Sequence, residues 1–423
     1  MKQRLIIWTA RVLATFAGLF PRSSARGALI VPPAGSGSLG DEAMIEGLAG
    51  VLDEGGHRPI NLVARAGAEP WPELDHITSL LRVPGGAFAR LLWFIRQSMR
   101  HEYVFVVGAD CVDGHYSPEN SIQLLLLADL GARAGAISTL LGSSYKQGAH
   151  PATAWMLRTM CSRVRVCARD PRSGRRMGEH ARCEPRLVAD AAFMLKPAPL
   201  TAELEPITRW IGNQRANGRL LIGVNYNRQV LPETRAQDRT RLFESYCLAI
   251  QDLAERDPSL SFLLIPHDYR GKDSDLAQSE RLYERLRASM GARVAYVPGR
   301  QTPGRLKAIA SRMDMVLTGR MHLAIASLGS AVPVAGVSYQ GKFEGLMDHF
   351  GIKNVLIDPE VALDPAALGA LVRSVMDRRA EIRDQIQRAF PFLSRMPLEN
   401  LPWRARLNPE DVQAPTDMVK VPA

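Results

Sequence analysis

The chain has 423 residues, too many for one ordinary core and suited to two domains of typical size. With 46% hydrophobic and 23% charged residues it is excluded from the disordered and fibrous classes. A formal charge of +10 leaves an arginine-rich coding bias to weigh against three anionic partners: nucleic acid, a phosphate-bearing substrate and an acidic membrane surface. Eight of the 53 basic residues are lysine and the other 45 are arginine, scattered along the whole chain, which argues against a dedicated nucleic-acid arm. The five cysteines (Cys111, Cys161, Cys167, Cys183 and Cys247) are odd in number and show neither a CxxC nor a Cys/His metal spacing. They read as free, mostly buried thiols of a cytoplasmic protein, with no zinc site and no disulfide frame.

The first predicted element covers residues 1–26. Leu5 to Phe20 is apolar apart from Arg11 and follows Lys2 and Arg4. At 16 residues it is short for a membrane span, which needs about 20, and no clean cleavage site follows it. Two readings stand side by side. One is an interfacial helix on the inner leaflet, with Lys2, Arg4 and Arg11 at headgroups and Trp8, Leu13, Phe16 and Phe20 in the apolar layer. The other is a first helix packed on the core.

From residue 27 the pattern alternates. GALIVPPAG reads as a buried strand and turn, 41–53 as a helix, 60–64 as a strand, 86–100 as a helix and 103–108 as a buried strand. Helix 121–135, strand 136–142, helix 152–163, strand 164–170 and one more helix follow, closing a first domain at 27–200. The polar stretch 201–218 reads as a linker. A second domain, 219–390, repeats the alternation with strand-like 219–227, 260–268, 293–299, 313–320 and 332–339 and helical 239–256, 275–290, 303–311 and 363–388. Residues 391–423, rich in Pro, read as an irregular tail. Alternation of this kind implies parallel sheets with sites at the carboxyl ends of the strands: an α/β chain of two Rossmann-like domains facing across a cleft.

Four motifs carry chemistry. Gly35-Ser36-Gly37-Ser38-Leu39-Gly40 has the GxGxxG form, yet Asp41 and Glu42 would repel a pyrophosphate at the helix start. No acidic residue follows the second strand to bind a ribose, so a nicotinamide oxidoreductase is disfavoured, and Asp41 could equally cap the helix. Asp110, at the end of the 103–108 strand, is placed to enter a site, whereas Asp113 in Asp-Gly reads as a turn residue. Arg320 and His322 open a helix directly after a strand and a Gly turn. An Arg fork suits a carboxylate or phosphate, and His suits an anion donor or proton donor. Lys342 lies in the Gly-flanked loop Tyr339-Gln340-Gly341-Lys342, where it could close on a phosphate or simply be a solvated cation.

The chain resembles the polysaccharide pyruvyl transferase family. The likeness rests on GSLGDEAM (37–44), VVGAD (106–110), LLGSS (140–144), ARDPRSG (168–174), ADAAF (189–193), GVNYN (223–227), LIPHD (264–268), TGRMHLAIASLGSAVP (318–333) and SYQGKFEG (338–345). It covers roughly residues 28–355, and Arg-x-His with the trailing Tyr-x-x-Lys is its most specific part. The resemblance implies a GT-B-like fold, with the first domain on the acceptor side and the second on the donor side. It also implies transfer of the enolpyruvyl-derived group of phosphoenolpyruvate to hydroxyls of a polysaccharide or its lipid-linked precursor. The implied roles are Arg320 on the donor carboxylate or phosphate, His322 as anion donor or general acid, and Asp110 or Asp41 on the acceptor hydroxyls. Arg169, His267 and Lys342 would complete a cationic wall, with Gly40, Asn225 and Tyr339 among the substrate-binding residues. Phosphoenolpyruvate would be a substrate, so no cofactor and no metal is expected. Where the family has a strand-end triple glycine, this chain has Gly108-Ala109-Asp110. Two rival readings are a GT-B nucleotide-sugar glycosyltransferase and a non-catalytic component of polysaccharide assembly; nothing resembles a nucleic-acid module.

Overall fold

The computed structural model describes residues 2–20, 22, 26–64, 71–72, 74–338 and 341–403, with only the backbone for 2–5 and 342. Two compact units emerge. The first gathers residues up to Ser36, Ala43–Leu195 and 392–403; the second gathers Gly37–Glu42 and Lys196–Pro391.

In the first unit, α1 (Lys2–Ala17) precedes β1 (Ala28–Val31), α2 (Leu39–Glu54), β2 (Ile60–Ala64), β3 (Ser79–Arg82), α3 (Ala87–Arg100) and β4 (Tyr103–Val106). Next come α4 (Pro118–Arg133), β5 (Ile137–Ser143), α5 (Pro151–Met160), β6 (Arg165–Ala168), α6 (Pro171–Ala181) and β7 (Arg186–Leu187). The strands form one all-parallel sheet in the order β3-β2-β1-β4-β5-β6-β7. β1 and β4 are buried at every residue, which explains their unbroken apolar runs: helices cover both faces of a parallel sheet. Several helices start by one device, a capping side chain followed by Pro at the first helical position: Ser117 before α4 and Asp170 before α6.

The second unit holds α7 (Glu205–Ala216), β8 (Leu220–Asn225), α8 (Ala236–Arg256), β9 (Leu260–Leu264), α9 (Asp275–Met290), β10 (Val294–Tyr296) and α10 (Pro303–Ala310). It continues with β11 (Met315–Thr318), α11 (Met321–Leu328), β12 (Val334–Val337), α12 (Lys342–Phe350), β13 (Leu356–Ile357), α13 (Pro365–Asp377) and α14 (Arg379–Leu393). Its parallel sheet runs β10-β9-β8-β11-β12-β13, the same winding as the first. In each sheet the strand order reverses once, between β1 and β4 and between β8 and β11. Sites in doubly wound sheets lie at such reversals, outside the carboxyl ends of the strands.

Four sequence expectations need correcting. Residues 201–218 are no bare linker: Pro206 opens α7, and Ile207 and Ile211, one helical turn apart, join the second unit's core. β3 and α12 were unforeseen, β3 because an exposed edge strand lacks an apolar run. Part of the tail is ordered. Residues Met396–Asn400 form a short 3-10 helix on the first unit, where the Asn400 carboxamide oxygen accepts the Gly142 N–H at 2.7 Å. Glu399 pairs with Arg186.

The fourth correction concerns α1. Ile7, Ala10 and Ala14 are buried in the first unit's core, and Arg11 turns inward instead of reaching a headgroup. Its guanidinium meets the fully buried Asp129 of α4 at 2.6 Å, and Arg133 and Arg163 reach the same carboxylate at 3.1 and 2.9 Å. A carboxylate with no exposure needs its charge matched, and three arginines supply it. A Cβ at Gly18 would stand 2.2 Å from the Arg133 carbonyl oxygen, so close approach to α4 fixes glycine there. The opposite face of α1, including Trp8 and Phe16, is exposed. Helix α1 is therefore both a packed helix and the carrier of an apolar outer face.

Replacing Asp129 with Ala would leave Arg11 buried beside no counter-charge. The expected cost is about 3 kcal/mol, read as a lower urea midpoint for the first unit. An unchanged midpoint would show that α1 docks without this pair.

Candidate functional site

The second unit brings loops from three strand ends to one place, the reversal between β8 and β11. Asn225 ends β8 and Thr318 ends β11, and the two are register partners. The buried Asn225 carboxamide donates to the Ile265 carbonyl at 3.0 Å and to the Asp275 carboxylate at 2.9 Å, and it accepts the Thr318 hydroxyl at 3.2 Å. Asn225 thus ties the three strand ends together. It is a positioning residue that sets Asp275, not a free group for substrate.

Asp275 is the first residue of α9 and holds Arg320 in a two-point grip: Nε donates to one oxygen at 3.0 Å and Nη2 to the other at 2.7 Å. Nη1 donates to Gln229 at 3.0 Å and lies 3.3 Å from Asp268. Asp268 in turn carries Arg270 through Nε and Nη2, at 3.0 and 2.6 Å. Burial pushes the Asp268 carboxyl up, but the Arg270 hydrogen bonds and the charges of Arg320 and Arg270 outweigh it and leave it below its ordinary value. A chain of alternating charges results, with Arg320 fixed in orientation by carboxylates at both edges of its fork.

His267 is buried beside this chain. Its imidazole is held down to about 3, first by burial and then by the charges of His322 and Arg320. The expectation that His267 adds a cation is therefore corrected: near neutral pH it is an uncharged ring.

His322 is the second residue of α11, and its ring lies against the start of α2. A Cβ at Gly40 would come within 2.0 Å of His322 Nδ1, so only glycine lets the ring lie on that backbone. The Gly37–Glu42 segment is secured in this unit by its own bonds. Tyr269 N–H donates to the Gly37 carbonyl at 2.9 Å, Ser38 bridges Asp268, and Arg300 reaches the buried Glu42 carboxylate at 2.9 Å. That carboxylate also accepts the Gly37 N–H at 2.7 Å, which fills the Gly-rich turn with the chain's own anion where a dinucleotide would put a phosphate. Burial raises the Glu42 carboxyl above its ordinary value against the pull of Gly37 and Arg300. Asp41 stands in the first turn of α2, next to Gly40.

Gly40, Asp41, Asn225, His267, Arg320 and His322 therefore belong to one unit. Asp110 and Arg169 belong to the other. Asp110 follows β4, accepts the Tyr116 hydroxyl at 3.1 Å and comes just after Ala109, whose φ of 48° keeps a glycine-like turn on an alanine. Asp113 accepts the His115 and Lys146 backbone N–H groups, as a turn residue would. Arg169 is buried, with Asp190 at 2.9 Å and Ser144 at 2.7 Å, so its charge is matched inside the first unit and is not available to a cationic wall. Tyr339 lies outside the described residues, as does the side chain of Lys342. The sequence reading missed Asp268, Arg270, Asp275 and Gln229. Two signals were present for these, the Asp that ends LIPHD and the Ser274-Asp275 helix start.

Two parallel sheets, each wound outward from a central reversal, with the charged site at one reversal, define a two-domain Rossmann-like protein of the GT-B fold. Solved structures agree on that fold. A Listeria monocytogenes protein assigned as a UDP-N-acetylglucosamine 2-epimerase superposes with a TM-score of 0.54 at 10% identity, over 86% of this chain and 90% of that one. Anabaena Alr3699/HepE in complex with UDP and glucose gives 0.51 at 11% identity, over 89% and 97%. The Neisseria meningitidis UDP-GlcNAc 2-epimerase bound to UDP-GlcNAc gives 0.52 at 10%, over 89% and 99%. Among curated proteins none matches this sequence. Residues 39–341 match the polysaccharide pyruvyl transferase family, and the chain belongs to it. It is accordingly an enzyme of the transferase class.

Two outcomes follow from the site's packing. Gly40→Ala would drive a methyl into the His322 ring and should lower turnover at least about tenfold with the fold retained, since a small misplacement at a reacting group can cost about 100-fold; full turnover would show that His322 need not lie there. His267 is lowered from 6.5 to about 3 in the fold, so in that window the unfolded chain binds the extra proton. Its contribution to stability is complete above about 6.5 and declines as pH falls toward 3. Urea midpoints of the second unit between pH 7 and 5 should fall less steeply in His267→Gln than in the parent. Equal slopes would mean that His267 takes up its proton in the fold as readily as in the unfolded chain.

Proposed function

We propose that this enzyme transfers the enolpyruvyl-derived group of phosphoenolpyruvate to two hydroxyls of a sugar in a polysaccharide or its lipid-linked precursor, forming a pyruvate ketal. One observation carries the reading. A rigidly held arginine fork and a histidine open the helix after β11 at the β8/β11 reversal, with that histidine against the first turn of α2. The donor carries a carboxylate and a phosphate on one small molecule, and such a pair of anions asks for an arginine fork, a nearby donor histidine and helix N-termini.

His322 delivers a proton to the donor's methylene carbon, which becomes the methyl group, while one sugar hydroxyl bonds to the adjacent carbon. The second hydroxyl bonds to that carbon as the carbon–phosphate oxygen bond breaks. Of the two hydroxyl protons, one replaces the proton given by His322 and the other departs on phosphate. Arg320 orients the donor through Nη1, where a donor oxygen replaces Gln229 or Asp268. Asp41 is the carboxylate we assign to the acceptor hydroxyls, because it shares a unit with His322 and neighbours Gly40. A lipid-linked acceptor would put the enzyme at the inner leaflet, and residues 1–20 are the segment we assign to that contact.

The test is phosphate release from phosphoenolpyruvate together with mass gain on free and lipid-linked oligosaccharide acceptors. Arg320→Ala and His322→Ala should each lower turnover by about 100-fold or more, the range for losing a positioned acid or anion clamp. Full turnover in both would overturn the site. Thermal stabilisation by a UDP- or GDP-sugar, with none by phosphoenolpyruvate, would replace this reading with a nucleotide-sugar glycosyltransferase.

A further inference from the structure

The first unit carries an apolar surface that the transfer chemistry does not use. On α1 the outward side chains include Trp8 and Phe16, each 64% exposed, and Leu13; just past the helix, Leu19 and Phe20 are exposed too. On α3, Phe88 is 60% exposed and Leu92, one turn on, is exposed too. The two helices touch, and both pack on α4. Between them opens a cavity of about 610 Å³ lined by Ile6 and Ile7 of α1, by Ala87, Arg90 and Leu91 of α3, and by the carboxyl ends of β1 to β3. Its walls are mostly aliphatic and aromatic. Soluble proteins rarely leave so many large apolar side chains together in water.

Charge selects the occupant. Residues 1–27 contain Lys2, Arg4, Arg11, Arg22 and Arg26, and residues 77–100 contain Arg82, Arg90, Arg96 and Arg100, with no Asp or Glu in either segment. Nine positive charges lie in these two segments, against a net of +10 for the whole chain. Arg11 is neutralised by Asp129, and Glu119 of α4 lines the cavity. On α3 itself the exposed Arg90, Arg96 and Arg100 share the helix with Phe88 and Leu92. Amphipathic surfaces of this composition suit an anionic bilayer, where aromatic rings enter the interface and arginines meet phosphate headgroups. A neutral protein partner would not need the charge. Among the described residues no helix is long and apolar enough to cross a membrane, so the contact would be peripheral.

We propose that the α1–α3 face, with the cavity between the helices as its apolar depth, docks the first unit on a bilayer rich in anionic phospholipid. The proposal deepens the assignment of residues 1–20 as a membrane contact by adding α3. It is independent of the donor.

The experiment is co-sedimentation of the full chain with phosphatidylcholine vesicles, with and without about one-third phosphatidylglycerol, at low and at 0.5 M salt, a concentration at which screening is confined to roughly 4 Å. Binding should be about tenfold tighter on the anionic vesicles and should weaken severalfold in high salt. Trp8→Ser/Phe16→Ser and, separately, Phe88→Ser should each weaken it severalfold with unchanged circular dichroism. Leu248→Ser, an exposed apolar side chain of the second unit, should leave it unaltered. No binding, or equal binding to both vesicle types, would overturn the proposal. Loss with Trp8→Ser/Phe16→Ser but none with Phe88→Ser would reduce the contact to residues 1–20 and reject the two-helix face. A dimer made monomeric by these substitutions, without vesicle binding, would reassign the face to a second copy.

Discussion

The grip of Asp275 on Arg320 is the interaction on which the rest of the site depends. It takes two oxygens and two guanidinium nitrogens, at 3.0 and 2.7 Å, and fixes the plane of the fork. Everything around it serves that geometry. Asn225 holds the carboxylate from the side, Asp268 neutralises the far edge, and Arg270 completes Asp268 in turn. Charges buried this deeply are costly unless matched, and here each has a partner of opposite sign. The result is an arginine held at both edges of its fork, with a histidine ring laid against glycine backbone in the same unit. Pre-organisation of this kind lets a site stabilise developing charge without first rearranging.

The position of the grip follows from topology. Both sheets wind outward from a central pair, so each has one reversal where the loops diverge and leave room at the strand ends. In the second unit three of those loops converge on Asp275. The Gly37–Glu42 segment joins that unit instead of the one containing the rest of α2, and it brings the helix start to His322. The Gly-rich turn, whose amide would otherwise meet a pyrophosphate, is closed by Glu42.

Much of this was legible in the sequence, for physical reasons. Strands buried on both faces must be continuous apolar runs, so β1, β4, β8, β9 and β11 announce themselves, and the helices between them imply parallel pairing. Arg320 and His322 were legible because strand, glycine turn and helix start follow one another locally. Asp275 was not, because its role arises from contact with a residue 45 positions away. The neutrality of His267 depends on burial among neighbours that no local pattern reveals. Asn225 and Arg169 carried the right motif but their polar atoms turn inward. Arg11 looked like a headgroup ligand until Asp129, buried on α4, supplied a partner. The exposed edge strand β3 and helix α12 lacked the periodic apolar signal on which pattern reading relies.

An Arg320 that works as an oriented fork, and not merely as a positive charge, should lose donor affinity when only the charge is kept. Calorimetric titration of phosphoenolpyruvate into the parent and into Arg320→Lys separates the two roles, because lysine keeps the charge but cannot make the two-point contact with Asp275. Arg320→Lys should bind at least about tenfold more weakly, the worth of about 1.4 kcal/mol in lost geometry. Equal affinity in the two proteins would contradict the oriented role.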